Sequence, residues 1–429
     1  TFFATWREYR GLGVPSDAET TDIFRQIFYW IAHFILPEQL LDQAYHLMSL
    51  WVGILSMYVM ARLLFKDFIF KEKIANEKIS EIFALVASLF YLFNLNTLSI
   101  FYSPIIPFTN RFYSMPLTIY FFLKLLDSKN KVKDFLILAI IIIITSGSYV
   151  TPTVFITTFA ALILFLFFKV NLKKTLVYSL IFLVLNAFWL LPFANYTLKK
   201  SPIIPLARTF IEINESTLNH PKSNFTLDKQ SALYPSFFDI KFPSLKGDDQ
   251  LIYPLLSEFK KPINQKIFLF FPILYSLGGL LILLSWKKNK KVLWLPIWII
   301  FFLFLSTKQY GPLGFIYDFM DKHIPFFGIV FRIGDTKFHA YINLGGSILA
   351  AYFLIHFYYF IKSKKSFYFF IPILSFVVIY YVFLFRSYFT GNLINFVLYV
   401  KIPKAYYEIA GKINQDPAKS RVLHLPFDS

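Results

Sequence analysis

Three carboxylates lie close together near the start of the chain, just ahead of an amphipathic segment. Asp17, Glu19 and Asp22 fall within six positions, and a flexible Gly-x-Pro-Ser turn precedes Asp17. A carboxylate at the boundary between water and lipid can act as a general base or pair with a cation. The alternative is structural, because the Ser-Asp-Ala-Glu run at 16–19 has the pattern of a helix capping box, and Asp22 would lie just inside the helix, where the dipole favours it. Both interpretations stay open.

A second group of candidates follows two prolines in the stretch SPIIPFTNRFY, at Ser103–Tyr113. Asn110 and Arg111 lie there near membrane depth, where a charge is costly unless it faces a cavity or a partner. An arginine suits a phosphate, since its planar guanidinium binds two oxygens at once. The alternative is an arginine whose side chain extends to the membrane surface.

A third group precedes a span directly, in FRIGDTKFH at Phe331–His339. Arg332, Asp335, Lys337 and His339 combine two cations with a carboxylate and a possible proton carrier. Such a set can hold a lipid-linked phosphate. The alternative is a set of charged residues that anchors the end of a helix.

The elements that position these residues belong to a membrane protein, as the amino-acid composition indicates. Of the 429 residues, 57% are hydrophobic and only 16% are charged, with 55 Phe and 27 Tyr. Several runs approach or exceed the ~18–20 apolar residues that cross a bilayer. Apolar runs such as FLILAIIIII at Phe135–Ile144 do not alternate with polar residues, as barrel strands would. The predicted fold class is therefore an all-α polytopic membrane protein.

The charge and the motif content narrow the chemistry further. Much of the net charge of +18 lies in short loops, where it indicates topology, and we predict no nucleic-acid partner. The absence of cysteine excludes disulfides and thiolate chemistry, and the seven histidines are dispersed. There is no P-loop, no paired-glycine dinucleotide fingerprint and no HExxH. We predict no cofactor and no metal ligand, although a divalent metal held by carboxylates stays open.

Ten spans are predicted from apolar run length, and lysine-rich connections alternate with connections that lack such clusters. The spans are Ala44–Phe65, Ser80–Tyr102, Pro104–Leu126, Asp134–Val150, Thr151–Lys169, Thr175–Tyr196, Ile267–Trp286, Val292–Ser306, Phe338–Ile361 and Phe367–Phe389. The lysine-rich connections are expected in the cytoplasm and the others outside. The protein is then a multi-pass cell-membrane protein with an external N-terminal loop and an external C-terminal tail.

This topology predicts three regions. Residues 1–43 form a first external loop with an amphipathic helix, and residues 44–389 form the membrane domain, with external loops at 197–266 and 307–337. Residues 390–429 begin an external domain, with a helix followed by a strand. The helix at Ile23–Leu36 either lies on the membrane surface or packs against the protein. Because the chain starts outside and lacks an initial methionine, we expect it to be a fragment that misses at least one upstream span.

The layout resembles a known class of membrane enzymes, the GT-C glycosyltransferases. WREYRGLG, at Trp6–Gly13, resembles a Trp-then-Gly segment of the arabinofuranosyltransferase D-like N-terminal region. FRIGDTKF, at Phe331–Phe338, resembles a segment before a late span in those proteins and in YfhO-like membrane proteins. PKAYYE at 403–408 and RVLHLP at 421–426 look like the entry to their external domain.

The resemblance implies a polyprenyl-phosphate sugar as donor and inversion at the anomeric carbon. It also implies that the catalytic aspartate lies soon after the first span, which here falls before Trp6 and therefore upstream of Thr1. Asp17, Glu19 and Asp22 are then substitutes rather than matches to that position. Trp6 and Arg10 are further site candidates in the same loop.

The leading hypothesis is a glycosyltransferase that moves a sugar from a polyprenyl-phosphate donor to an extracytoplasmic glycan or lipid-linked acceptor. A first-loop carboxylate would deprotonate the acceptor, and Arg111, Arg332 and Lys337 would stabilise the departing phosphate. One alternative is a transporter or flippase for a lipid-linked glycan, which should show broken helices or charges in mid-span. Another is a non-enzymatic membrane protein with an external glycan-binding domain. The expected partners are the lipid bilayer, the donor and the acceptor.

Overall fold

The computed structural model describes eighteen stretches of the chain, and these are almost entirely helical. They are residues 6–7, 14–15, 19–69, 77–102, 104–149, 152–200, 225–235, 241–243, 249–251, 262–287, 292–324, 327–331, 334–362, 375, 379–380, 382–390, 393 and 404–415. The helices before the long central loop are α1 (Ile23–Ala32), α2 (Glu38–Leu63), α3 (Glu77–Leu92), α4 (Leu95–Tyr102), α5 (Ile106–Asp127), α6 (Lys131–Ile144), α7 (Pro152–Lys169), α8 (Leu172–Leu185) and α9 (Ala187–Lys200).

The remaining helices follow or lie within that loop: α10 (Leu227–Ser231), α11 (Pro262–Phe268), α12 (Phe270–Leu284), α13 (Trp294–Thr307), α14 (Gly314–His323), α15 (Phe327–Phe331), α16 (Gly334–Lys362) and α17 (Lys404–Gln415). Two short antiparallel strand pairs complete the described structure. β1 (Trp6–Arg7) pairs with β2 (Val14–Pro15), and β3 (Lys241–Pro243) pairs with β4 (Asp249–Leu251).

Three of the described helices are long and apolar enough to cross a membrane: Glu38–Lys66, Lys266–Leu284 and Gly334–Phe360. Three bent pairs raise the number of candidate spans to six if each pair forms one span. These pairs are Lys78–Leu92 with Leu95–Tyr102, Leu172–Leu185 with Ala187–Asn195, and Trp294–Tyr310 with Gly314–His323. The helical, membrane-type architecture therefore agrees with the prediction.

Several predicted spans differ in detail from the helices observed. The predicted span at Ser80–Tyr102 is broken by 55° between α3 and α4, and the one at Thr175–Tyr196 is broken by 73° between α8 and α9. α6 has only 14 residues, because a turn at Ser146–Ser148 follows it. α5 has 22 residues but lacks the apolar composition of a clear span. Most of the predicted span at Phe367–Phe389 lies outside the described residues.

α16 lies at the centre of the helix packing. Of its most apolar window, 89% is buried, compared with 44% for the other two clear spans. α12 packs closely on it, because a Cβ at Gly278 would overlap the backbone carbonyl of Leu349. α13 packs on another side, where the Trp298 indole N–H donates to the Tyr341 carbonyl at 2.8 Å. Such close backbone approach is typical of helix pairs in membranes.

α1 is in part packed on the protein and in part exposed. The rings of Phe28 and Tyr29 contact the ring of Tyr45 in α2, with centroids 5.4 and 5.9 Å apart. Burial and the hydrogen bond that its hydroxyl donates to Asp42 raise the pKa of Tyr29. Other apolar side chains of this segment point away from the bundle: Ile27, Trp30, Ile31, Phe34 and Ile35. Both predicted interpretations thus describe a part of this helix, and the exposed face suits a membrane surface.

Asp22 differs from its predicted position inside the helix. A 3₁₀ turn occupies Glu19–Asp22, and Asp22 stands at the N-cap of α1 without a side-chain capping hydrogen bond. Its carboxylate instead accepts from the guanidinium of Arg25, one turn further on. This local ion pair replaces the expected cap because the arginine offers a charged donor.

Candidate functional site

Arg111 is buried inside the helix bundle, in the second turn of α5, and is only 2% exposed. Its Nη1 donates to the carbonyl of Lys337 at 3.3 Å, and its Nη2 donates to the carbonyl of Thr336. The guanidinium also lies over two aromatic rings, 5.2 Å from the centroid of Phe108 and 5.7 Å from that of Tyr341. The structure therefore joins two of the predicted site segments, which are separated by more than 200 positions in the sequence.

The charge of Arg111 is not balanced by an acid in its immediate surroundings. Within the described residues it forms no ion pair with a carboxylate, and its Nε has no hydrogen-bond partner. Carbonyl dipoles and aromatic faces offset the cost of burying a cation only in part. Among the described residues, no carboxylate offsets the charge of this buried guanidinium.

A small cavity adjoins the guanidinium. Its wall includes Ser114 of α5, Ser148 of the turn after α6, Thr158 of α7, Trp298 of α13 and Tyr341 of α16. The Tyr341 hydroxyl is hydrogen-bonded to that of Thr158 at 2.8 Å. The cavity volume is about 30 Å³, which holds about two water molecules. A phosphate can enter only if these side chains move apart.

Further ionisable residues surround the start of α16. Asp335, Lys337 and His339 are all buried, at 2%, 7% and 1% exposure. The carboxylate of Asp335 lies within electrostatic range of Lys308 and of His339, and the charge of Arg111 also reaches His339. We call Arg111, Lys308, Asp335, Lys337 and His339 the Arg111 cluster. It holds three basic side chains, those of Arg111, Lys308 and Lys337, and one carboxylate, that of Asp335.

His339 is hydrogen-bonded to a residue of α10. Its Nε2 lies 2.8 Å from Oε1 of Gln230 in α10, and the Ser306 hydroxyl donates to the same oxygen. Because a carbonyl oxygen only accepts, we assign the ring proton to Nε2, which leaves Nδ1 as an acceptor. Nδ1 is buried without a hydrogen-bond partner within the described residues. The predicted proton carrier is thus a neutral, oriented imidazole with one unused lone pair.

Asn110 precedes Arg111 in α5, and its side chain contacts a different part of the protein, near the end of the first loop. Its Oδ1 accepts from the Tyr45 hydroxyl at 2.7 Å. A Cβ at Gly147 would lie 3.1 Å from the carbonyl of Thr21 and 3.3 Å from Nδ2 of Asn110. The turn at Ser146–Ser148 therefore lies between the end of the first loop and Asn110. Two consecutive residues of α5 therefore contact both regions: Asn110 lies near the end of the first loop, and Arg111 is hydrogen-bonded to the start of α16.

The other predicted site residues are placed only in part. The backbone of Trp6 lies in β1 and that of Glu19 in the 3₁₀ turn, whereas their side chains lie outside the described residues. Arg10, Asp17 and Arg332 lie wholly outside them. Asp22 is described and pairs with Arg25. Among the described residues, no group of three or more metal-ligating side chains could hold an ion.

One polar cluster went unrecognised in the sequence. Asn343 of α16 donates to the Tyr91 carbonyl at 3.2 Å and to the Thr97 hydroxyl at 3.1 Å. Its Oδ1 accepts from Nδ2 of Asn94 at 3.0 Å and from the Ser347 hydroxyl at 3.2 Å. We call this the Asn343 network. It lies at the break between α3 and α4, and the asparagines of the FNLN and YINLGG stretches are the only sequence signal of it.

Comparisons with known proteins identify no relative of this chain. No protein family, no curated protein and no solved structure matches the chain. The chemistry of the site is therefore argued from its own residues, and the resemblance to GT-C enzymes stays a prediction from layout and short motifs.

Proposed function

We propose that the protein is a membrane glycosyltransferase that uses a polyprenyl-phosphate sugar as donor. It transfers the sugar to an extracytoplasmic glycan or to a lipid-linked acceptor. The start of α16 binds the donor phosphate, and a carboxylate of the first loop serves as the general base. This proposal includes a GT-C-like membrane domain of about ten spans with both of its loop-rich ends outside the cell.

The observation that carries the proposal is the uncompensated charge of Arg111. A cation buried at membrane depth is costly unless it serves a ligand, a pathway or a partner. The described residues give it two carbonyls and two rings but no carboxylate. A phosphate would supply the missing negative charge, and a guanidinium binds it through two oxygens.

The surroundings of Arg111 suit a departing phosphate. Lys337 belongs to the same turn of α16 whose carbonyls hold Arg111, and Lys308 is close to Asp335 of that turn. Cations fixed before the reaction stabilise the charge that develops on a leaving phosphate without reorganisation. Arg332 would add to them, because only four residues separate it from Lys337.

The nearness of the first loop to Arg111 supports a role for this loop in binding the acceptor. Its last 3₁₀ turn approaches Gly147 through Thr21, and Gly147 approaches Asn110, next to Arg111. An acceptor hydroxyl entering between this loop and the start of α16 would meet the donor there. Because the cavity beside Arg111 has a volume of only about 30 Å³, this step requires a more open state of the site.

Sugar transfer in membranes that contain the full natural protein tests the proposal. We expect transfer from a radiolabelled polyprenyl-phosphate sugar and a loss of about 100-fold or more in the Arg111→Met variant. Arg62→Gln is the matched control, since Arg62 pairs with Glu81 and neither residue belongs to the proposed site. Undiminished transfer by Arg111→Met would contradict the role of the guanidinium. Undiminished transfer after replacement of every first-loop carboxylate would remove the proposed base.

A second candidate is a transporter or flippase for a lipid-linked glycan. Three bent helix pairs favour it, since transporters bind substrate at broken helices in mid-membrane. In that case purified protein in liposomes would move a fluorescent lipid-linked glycan between leaflets without forming a new glycosidic bond. Transfer without such movement would favour the enzyme.

A further inference from the structure

A second cavity lies away from Arg111, between α10, α11 and the start of α4. Its volume is about 220 Å³, several times that of the cavity beside Arg111. One wall carries Asp228 and Lys229 of α10 with Tyr234, and the other carries Lys266 and Phe268 of α11. The two cavities share no lining residue, so they are separate sites.

Basic side chains outnumber acidic ones among the described residues that line this cavity. These residues include two lysines from different elements and one carboxylate, that of Asp228. Nζ of Lys229 lies 5.5 Å from the ring centroid of Tyr234, which fixes one side of the opening. Two ammonium groups attract a phosphate, while a carboxylate beside them accepts hydrogen bonds from hydroxyl groups.

The floor of the cavity is apolar and lies where a span begins. Leu95, Phe268 and Leu269 contribute to it, and Leu95 and Phe268 are almost fully buried. Lys266 is the first residue of the candidate span Lys266–Leu284. The lysines therefore lie at the end of this span, and the apolar floor lies within its first turn. Two lysines beside an apolar floor at the end of a span offer both the charge and the apolar contact that suit a phosphate-bearing lipid headgroup.

We propose that this cavity binds the headgroup of a lipid phosphate that carries hydroxyl groups. Lys229 and Lys266 bind the phosphate, Asp228 accepts from a headgroup hydroxyl, and the apolar floor contacts the first carbons of the lipid. The lipid is either a membrane glycerophospholipid or a polyprenyl-phosphate sugar, which share this chemistry. The inference requires only that the chain lies in a membrane, and it stands whether or not the protein transfers sugars.

Native mass spectrometry of the full protein, freed of lipid in detergent, tests the site. The ligands titrated are phosphatidylglycerol, a polyprenyl-phosphate sugar, phosphatidic acid, diacylglycerol and inorganic phosphate. We expect Lys229→Gln and Lys266→Gln each to weaken lipid binding by about 5-fold, and the double variant by about 30-fold. The tighter of the two hydroxylated lipids identifies the source. Asp228→Asn should reduce the preference for phosphatidylglycerol over phosphatidic acid.

The matched control is Lys404→Gln with Lys412→Gln, two exposed lysines of α17 that do not line the cavity. Lys229→Arg with Lys266→Arg should retain binding, because it keeps both charges. Thermal unfolding of every variant separates lost binding from lost folding. Equal affinity of the natural protein and the Lys229→Gln, Lys266→Gln variant, or equal binding of diacylglycerol, would overturn the proposal.

Discussion

Two polar clusters lie about one turn apart on α16, and they differ in how completely their hydrogen bonds are formed. In the Asn343 network, both amide hydrogens of Asn343 and both lone pairs of its oxygen have partners. In the Arg111 cluster, Nε of Arg111 and Nδ1 of His339 have none within the described residues. The amide of Asn343 therefore has no hydrogen-bonding group left for a ligand. In the Arg111 cluster, by contrast, Nε of Arg111 can still donate and Nδ1 of His339 can still accept a hydrogen bond.

The difference separates structure from function along one helix. A fully paired buried network rigidifies a core and fixes the positions of its elements. An incompletely paired cluster costs stability, and proteins keep such a cost mainly at sites that bind or react. The Asn343 network thus holds α16 against the break between α3 and α4, while the start of α16 remains available for chemistry.

The largest expected effect tests whether the Arg111 cluster serves function rather than stability. Arg111→Met should lower sugar transfer by about 100-fold or more while leaving thermal stability unchanged or raised. Its removal strands no acceptor, because the carbonyls of Thr336 and Lys337 also belong to the backbone ladder of α16. Transfer and thermal unfolding are measured on the same preparation. A marked loss of stability would mean that Arg111 is a structural residue, like Asn343.

The Asn343→Leu variant tests whether the Asn343 network stabilises the fold. It removes four hydrogen bonds at ~0.6 kcal/mol each, so we expect a loss of about 2–3 kcal/mol in the free energy of unfolding. Equilibrium unfolding in mixed detergent micelles measures it. The control is Asn96→Leu, since the side chain of Asn96 forms none of the hydrogen bonds described for this network. A loss no greater than that of the control would show the network to be energetically unimportant.

The close packing of α12 on α16 predicts a smaller loss of stability, and the neighbouring glycine of α12 provides a matched control. Gly278→Ala places a Cβ against the backbone carbonyl of Leu349, and we expect a loss of about 2 kcal/mol from overpacking. Gly279→Ala meets its nearest atoms at 3.5 Å, an ordinary contact, and should be neutral or stabilising because alanine favours helix. Unfolding of the two variants side by side measures the difference. Equal stabilities would contradict the close approach of α12 and α16.

The smallest expected effect comes from the loss of a single hydrogen bond of the Asn343 network. Ser347→Ala removes one of its bonds, 3.2 Å long, and should cost about 0.6 kcal/mol without affecting sugar transfer. The same unfolding measurement applies, with transfer as the second reading. A change in transfer at unchanged stability would extend the functional region beyond the first turns of α16.

The sequence predicted the helical membrane character well, because apolar run length is a local property. The start of α16 illustrates this, since the predicted span at Phe338–Ile361 lies within the observed helix Gly334–Lys362. Breaks were harder to predict. Asn94 and Asn186 interrupt apolar runs whose average composition suggests one straight helix, and only packing determines whether such a residue bends the chain.

The sequence by itself determined that the chain forms apolar helices and that a few charged residues must lie near membrane depth. Only the tertiary structure decided which of those residues meet. Arg111 contacts carbonyls 225 and 226 positions away, and Asn343 contacts the end of α3 from 252 positions away. Hydropathy is summed over one helix, whereas a buried polar group finds its partners on others. Of the three loops singled out as candidates, the structure joins the second to the third through Arg111 and to the end of the first through Asn110.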